Sequence, residues 1–147
     1  ARQTLTQITT RALEGLESVI TKTEPDLVLA QGDTTTTFVA SLAAFYHRVP
    51  FGHVEAGLRT DNKFDPFPEE INRRLTGVLC DLHFAPTELS KRNLLKEGVS
   101  ESDVFVTGNT VIDALLSIAA RDYDFDDERV RAAAESGKMI LMTAHRR

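Results

Sequence analysis

The chain has one cysteine, Cys80, and no tryptophan. A single thiol closes no internal disulfide, so nothing in the cysteine usage points to secretion. Long apolar runs are missing as well: the longest, Phe38 to Tyr46, has nine residues, against about 20 for a helix that spans a bilayer. No Lys/Arg-led apolar leader opens the sequence, so the expected setting is a reducing cytoplasm, away from membranes. Positive charge is also scarce. Seventeen Lys and Arg face 22 Asp and Glu, a net charge of −5 without any basic run, which argues against nucleic acid as a partner.

What is present is enough for one globular domain: 147 residues, 41% of them hydrophobic. Leu5, Ile8, Ala12, Leu13, Leu16, Val19 and Ile20 recur at three and four, which predicts a helix ending before Pro25. Short apolar runs then follow at Leu27 to Ala30, Phe51 to Val54, Leu82 to Ala85 and Val104 to Thr107. Helical segments separate them, at about Thr34 to His47, Pro68 to Cys80, Thr87 to Glu97 and Asn109 to Arg121, with Asp33, Thr87 and Asn109 as start signals. This β–α alternation predicts an α/β fold with a doubly wound, Rossmann-like parallel sheet. Residues 121–135 carry six acids against three Arg and read as a solvated helical connection. Met139 to Met142 reads as a further strand. The expected layout is 1–120 as the later part of one Rossmann-like domain, 121–137 as the connection, and 138–147 as the first strand of a second domain. Both ends look cut, so an internal piece of a longer protein is expected.

Ligands of open α/β sheets bind outside the carboxyl ends of the strands. Asp33 falls there, in Gln31-Gly32-Asp33-Thr34-Thr35-Thr36-Thr37, where it is either a helix N-cap or a ligand group, or both. Glu55 ends the next strand, in His53-Val54-Glu55-Ala56-Gly57-Leu58-Arg59-Thr60. A structural pair with Arg59 and a catalytic role are both open to it, and His53 is either a satisfied structural group or a base. In Asp65-Pro66-Phe67-Pro68-Glu69-Glu70 a rigid turn enters a helix on which Glu69→Arg73 and Glu70→Arg74 are spaced as i,i+4 pairs. Taking Ile71, Leu75 and Val78 as the core face, Glu69 lies about 160° from Ile71 and faces solvent or a cleft. His145 follows the last strand and holds the corresponding position in the second unit.

Other chemistries find no support. The glycines form no G-x-G-x-x-G and no P-loop, so no NAD or ATP site is expected. Histidines at 47, 53, 83 and 145 with one Cys give no metal-ligand spacing, and no G-x-S-x-G elbow occurs.

The motifs Gln31-Gly32-Asp33-Thr34-Thr35-Thr36, His53-Val54-Glu55-Ala56-Gly57-Leu58-Arg59-Thr60, Pro66-Phe67-Pro68-Glu69-Glu70, Gly108-Asn109-Thr110-Val111-Ile112-Asp113 and His145-Arg146-Arg147 closely resemble the bacterial, non-hydrolysing UDP-N-acetylglucosamine 2-epimerases. The resemblance runs almost end to end, yet covers only the later part of that family's first domain and the entry to its second. It implies the two-domain glycosyltransferase-B fold, no NAD or metal as redox cofactor, and a homodimer formed through the first domain. It further implies interconversion of UDP-N-acetylglucosamine and UDP-N-acetylmannosamine for cell-surface polysaccharide synthesis. By motif position, Asp33, Glu55 and Glu69 correspond to catalytic carboxylates and His145 to a histidine that contacts UDP and assists its departure. Asp33, Glu55 and His145 are also the expected substrate-binding groups. Most of that family's nucleotide-binding surface lies in the second domain, so the 147 residues alone are not expected to turn over.

Three alternatives stand beside this reading. A hydrolysing relative would release N-acetylmannosamine and UDP. A glycosyltransferase-B sugar transferase would pass the sugar to an acceptor. A non-catalytic nucleotide-sugar-binding module would bind without chemistry.

Overall fold

The computed structural model of the chain describes residues 3–138 and 140–144, and His145 lies outside them. Two compact units divide the chain after Asn109. The first opens with α1 (Leu5–Thr23), then β1 (Val28–Gln31), α2 (Thr35–Tyr46), β2 (Phe51–Val54), α3 (Glu69–Leu79), β3 (Leu82–Ala85), α4 (Glu88–Lys96), a short 3₁₀ turn and β4 (Val104–Val106). The second contains α5 (Thr110–Ala119) and α6 (Glu128–Glu135).

The four strands are parallel, in the order β1-β2-β3-β4. Parallel neighbours need a crossover, and each apolar run is short enough to be a strand while each intervening segment is long enough to be a helix. Ala30, His53, His83 and Val104 are in register across the sheet. All but Ala30 are buried, on the face that the crossover helices cover. One apolar cluster joins Ala40 and Ala44 of α2 to Phe51 of β2, with Leu16 of α1 packed against it. A second joins Ala56, Ala85 and Leu94 to Val104.

Local signals account for the boundaries. Thr4 and Gln7 form a reciprocal capping box at the start of α1. Thr87 caps α4 by accepting from Ser90 N at 3.1 Å. Asp127 caps α6, within the acidic segment expected to be a helical connection. Residues 140–142, expected to begin a strand, belong to no strand here; a strand is defined by hydrogen bonds to neighbours, and no described residue supplies them.

Helix α3 corrects one expectation. Its buried residues are Glu70, Asn72, Arg73 and Thr76, whereas Leu75 is 42% and Val78 83% exposed. The apolar stripe of Ile71, Leu75 and Val78 is the expected core face, but the helix turns its polar face inward. Ion pairs and amide hydrogen bonds to the strand ends hold it there in place of apolar packing.

Among the described residues no helix is long and apolar enough to cross a membrane, and no group of three or more His, Cys, Asp or Glu is placed to hold a metal ion.

Candidate active site

The carboxyl ends of β1 and β2 are built by two turns that touch. Gly32 extends the ladder by donating its N–H to Val54 O at 3.0 Å. It then takes φ +85°, a left-handed conformation that glycine adopts without a Cβ penalty. The chain thereby swings Asp33 over the sheet end. Thr37 Oγ1 donates back to Gln31 O at 2.9 Å and ties the start of α2 to the end of β1.

Asp33 itself is not the N-cap of α2. Thr34 holds that position, with Oγ1 accepting from Thr37 N at 3.4 Å, because the Gly32 turn delays helix entry by one residue. The Asp33 carboxylate is instead 3.3 Å from Arg73 Nε on α3. Its backbone carbonyl accepts from Asn72 Nδ2 at 2.9 Å.

Glu55 follows β2 directly and sits at φ +69°, which is uncommon for a residue with a side chain. Gln31 Nε2 donates to its Oε1 at 3.3 Å. Its Oε2 lies 3.7 Å from where a Cβ on Gly32 would stand, so the carboxylate hangs over the turn that carries Asp33. The pair considered for it, Glu55 with Arg59, does not form. Arg59 donates from Nε and Nη2 to both carboxylate oxygens of Glu97, at 2.7 and 2.6 Å, a bidentate geometry with a partner 38 residues away that local spacing could not suggest.

Glu69 opens α3, where a carboxylate favours the positive end of the helix. It lines a cleft of about 240 Å³ with Thr34, Thr35 and Thr36 of the α2 entry, Pro68 and Asn72, and Leu5 and Ile8 of α1. Glu69 thus faces a cleft, as expected, but by the opposite route: the face away from Ile71, Leu75 and Val78 is the inward one.

Behind the turns runs a chain of ion pairs. Arg73, 8% exposed at its side chain, lies 3.6 Å from Glu70 as well as against Asp33. Glu70 also meets Arg74 Nε at 3.0 Å, and Arg74 reaches Glu97 at 3.3 Å and Asp61 at 2.8 Å. The expected Glu70–Arg74 pair is therefore one link of a longer network. The guanidiniums of Arg59 and Arg74 hold the Glu97 carboxyl below the usual carboxylate range.

His53 is 1% exposed, and its Nε2 is 2.7 Å from Gly32 O. Burial pushes its pKa down from 6.5, helped by the positive Arg59 and opposed by Asp33 and Glu55. Burial lowers His83 as well, with the neighbouring His53 adding to it. Burial pushes the Cys80 thiol up to about 12; its Sγ contacts Leu82 O at 2.9 Å.

The structure therefore gathers Asp33, Glu55 and Glu69 at one end of the sheet, through Gln31, Gly32 and Asn72. The motifs alone give no role to Gln31, which stands inside the first of them, or to Asn72, two residues beyond the Pro66-to-Glu70 motif. Carboxylates at the carboxyl ends of a parallel sheet, beside a cleft that Glu69 lines, are the arrangement of α/β proteins that bind small molecules at their strand ends.

The family follows from comparison. The sequence pattern of the UDP-N-acetylglucosamine 2-epimerase family matches residues 1–147, and the chain belongs to that family. It is 56% identical over 146 residues to the UDP-N-acetylglucosamine 2-epimerase of Bacillus subtilis strain 168 and 54% identical over 151 residues to that of Escherichia coli K12. Each match covers 99% of this chain but 38% and 40% of the relative, so the chain spans about two fifths of their length. Among solved structures, the Neisseria meningitidis UDP-GlcNAc 2-epimerase bound to UDP-GlcNAc superposes with a TM-score of 0.77 at 60% identity, over 78% of this chain and 31% of that one. An S. aureus MnaA–UDP co-structure gives 0.84 at 50% identity, over 92% and 36%. The epimerases of known structure have the glycosyltransferase-B fold, of which this parallel sheet is a part.

Proposed function

We propose that the parent protein interconverts UDP-N-acetylglucosamine and UDP-N-acetylmannosamine by inverting C2 of the sugar. The observation that carries this is the convergence of Asp33, Glu55 and Glu69 at the sheet end, in a family whose Neisseria member is solved with UDP-GlcNAc bound.

The chemistry explains why several acids are needed. The C2 proton is not next to a carbonyl, so a carboxylate with an ordinary pKa of about 4 does not remove it directly. When the C1–O bond breaks and UDP leaves with the electron pair, oxocarbenium character at C1 acidifies C2–H. A carboxylate then takes the proton, and a 2-acetamidoglucal and bound UDP remain. Return of a proton to the opposite face of C2, with UDP re-adding at C1, completes the inversion. Acid–base groups are needed near both faces. Asp33, Glu55 and Glu69 supply them, and His145 contacts UDP and assists its departure.

Residues 1–120 form the later part of the first domain, 121–137 the connection and 138–147 the entry to the second. On this layout the 147 residues alone do not turn over, since half of the cleft neither encloses UDP nor excludes water. The parent is a cytoplasmic homodimer that feeds cell-surface polysaccharide synthesis.

Proton NMR of the full-length parent with UDP-N-acetylglucosamine in D₂O tests the reading. Deuterium at C2 with UDP still attached supports it. Free N-acetylmannosamine reassigns the enzyme to the hydrolysing type, and a folded parent with no exchange reduces the three carboxylates to binding or structural groups.

A further inference from the structure

We propose that His53 and Asn72 are positioning residues for Asp33: they clamp the carbonyl groups of two successive residues, Gly32 and Asp33, from two different elements. His53, on β2, holds Gly32 O at 2.7 Å; Asn72, on α3, holds Asp33 O at 2.9 Å. The inference rests on the epimerase reading for its catalytic consequence, but not for the clamp itself.

Gly32 sits at φ +85°, and the peptide after it decides where Asp33 points. A turn at a strand end is free to tilt its carbonyls, and fixing both sets the direction of the carboxylate over the sheet end, where Arg73 meets it. The Gly32 carbonyl has no proton to give, so Nε2 of His53 must carry the hydrogen. A neutral imidazole in that tautomer is a donor on the side of Asp33. Burial opposes its charged form most and Arg59 adds to that, while the Gly32 carbonyl, Asp33 and Glu55 favour it; His83, in register on β3, is the other titratable ring beside it. Asn72 is buried too, and its neighbour Arg73 meets the side-chain carboxylate of the residue whose backbone carbonyl Asn72 holds. The residue that carries Asp33 is thus gripped at backbone and side chain by consecutive residues of one helix, while its predecessor is gripped by the sheet. Buried His53 acts on Asp33 from beneath, and Asn72, which also lines the cleft, acts on it through the Asp33 carbonyl.

The test uses the full-length parent enzyme, assayed for C2 deuterium incorporation with UDP-N-acetylglucosamine, with His53→Phe, His53→Gln and Asn72→Leu as variants. Losing one clamp displaces Asp33 by a fraction of an ångström to about 1 Å, so kcat is expected to fall about 10- to 100-fold with KM little changed. His53→Gln places an amide N–H near the former Nε2 and recovers most of the loss, with the pH profile of the wild type. In parallel, ¹⁵N-histidine labelling of the parent, with His53→Gln to assign the signal, is expected to show His53 protonated at Nε2 and remaining neutral to lower pH than a histidine of the unfolded chain.

Folded variants that keep wild-type kcat overturn the positioning role. His53→Gln as inactive as His53→Phe, with one limb of the pH profile gone, makes His53 an acid or base in its own right and overturns it as well. A bare Nε2 overturns the clamp. A parent that exchanges no deuterium defeats the epimerase reading, and with it the catalytic consequence, while the nitrogen signal still decides the clamp.

Discussion

Replacing Glu70 by leucine should destabilise this chain more than almost any other single surface-sized change. Its carboxylate is 0% exposed, and it accepts from Thr60 N at 3.1 Å and Arg74 Nε at 3.0 Å while lying 3.6 Å from Arg73 Nη1. Removing it leaves the Thr60 N–H without that acceptor and the nearly buried Arg73 with Asp33 as its remaining ion-pair partner among the described residues. Breaking a buried pair from one side costs about 3–5 kcal/mol. Arg74 is partly exposed and still has Asp61 and Glu97, so its share is small and the lower half of that range is expected. With a urea slope of about 1.5–2 kcal/mol per molar for a domain of this size, the unfolding midpoint should drop by about 2 M. Glu70→Gln keeps an acceptor for Thr60 but not the charge, and should fall between. The measurement is urea unfolding of wild type and both variants by circular dichroism. A shift under about 0.5 M for Glu70→Leu would refute the claim that the inward face of α3 is held by charge.

Three further outcomes are expected. Gly57 has φ +85°, and a Cβ there would run into the Ser90 carbonyl and stand 3.0 Å from Leu94 Cγ; Gly57→Ala should lower the melting temperature by roughly 5–15 °C, and an unchanged value would show that α4 moves aside freely. His53 and His83 have folded-state pKa values below their ordinary 6.5, so the unfolded chain takes up more protons below that pH; stability should be level above it and fall as the pH drops, by up to about 1.4 kcal/mol per pH unit per histidine, and a curve flat from pH 7 to 5 would contradict this. Cys80, with its thiol near 12, should resist iodoacetamide at pH 8 until the chain is unfolded, and alkylation of the native chain at the rate of a free thiol would overturn that assignment.

The strands were legible because each is a short apolar run closed by a turn signal, and Phe51 to Val54 and Leu82 to Ala85 match to the residue. The helix faces were less so. Periodicity gives the phase of Ile71, Leu75 and Val78 but not which side the fold covers; in α3 the ion pairs of Glu70 and Arg73 decide that. Arg59 went to Glu97 rather than Glu55 because a partner 38 residues along the chain is close only after β3 and α4 are in place. The candidate carboxylates were legible from strand ends and motifs, whereas the groups that hold them were not. A histidine on an apolar strand, such as His53, carries no mark of the carbonyl it will meet.

Glu55 carries a consequence of a different kind. A residue with a β-carbon held at φ +69° stores about 1–3 kcal/mol that glycine or asparagine would largely release. Selection for a sturdier protein and selection for an acid at this turn therefore pull in opposite directions. A library screened only for heat resistance should drift toward glycine or asparagine at position 55 and lose the carboxylate over Gly32 without any sign of harm to the fold, so that the most durable descendants of this chain would be the ones with no acid at this turn.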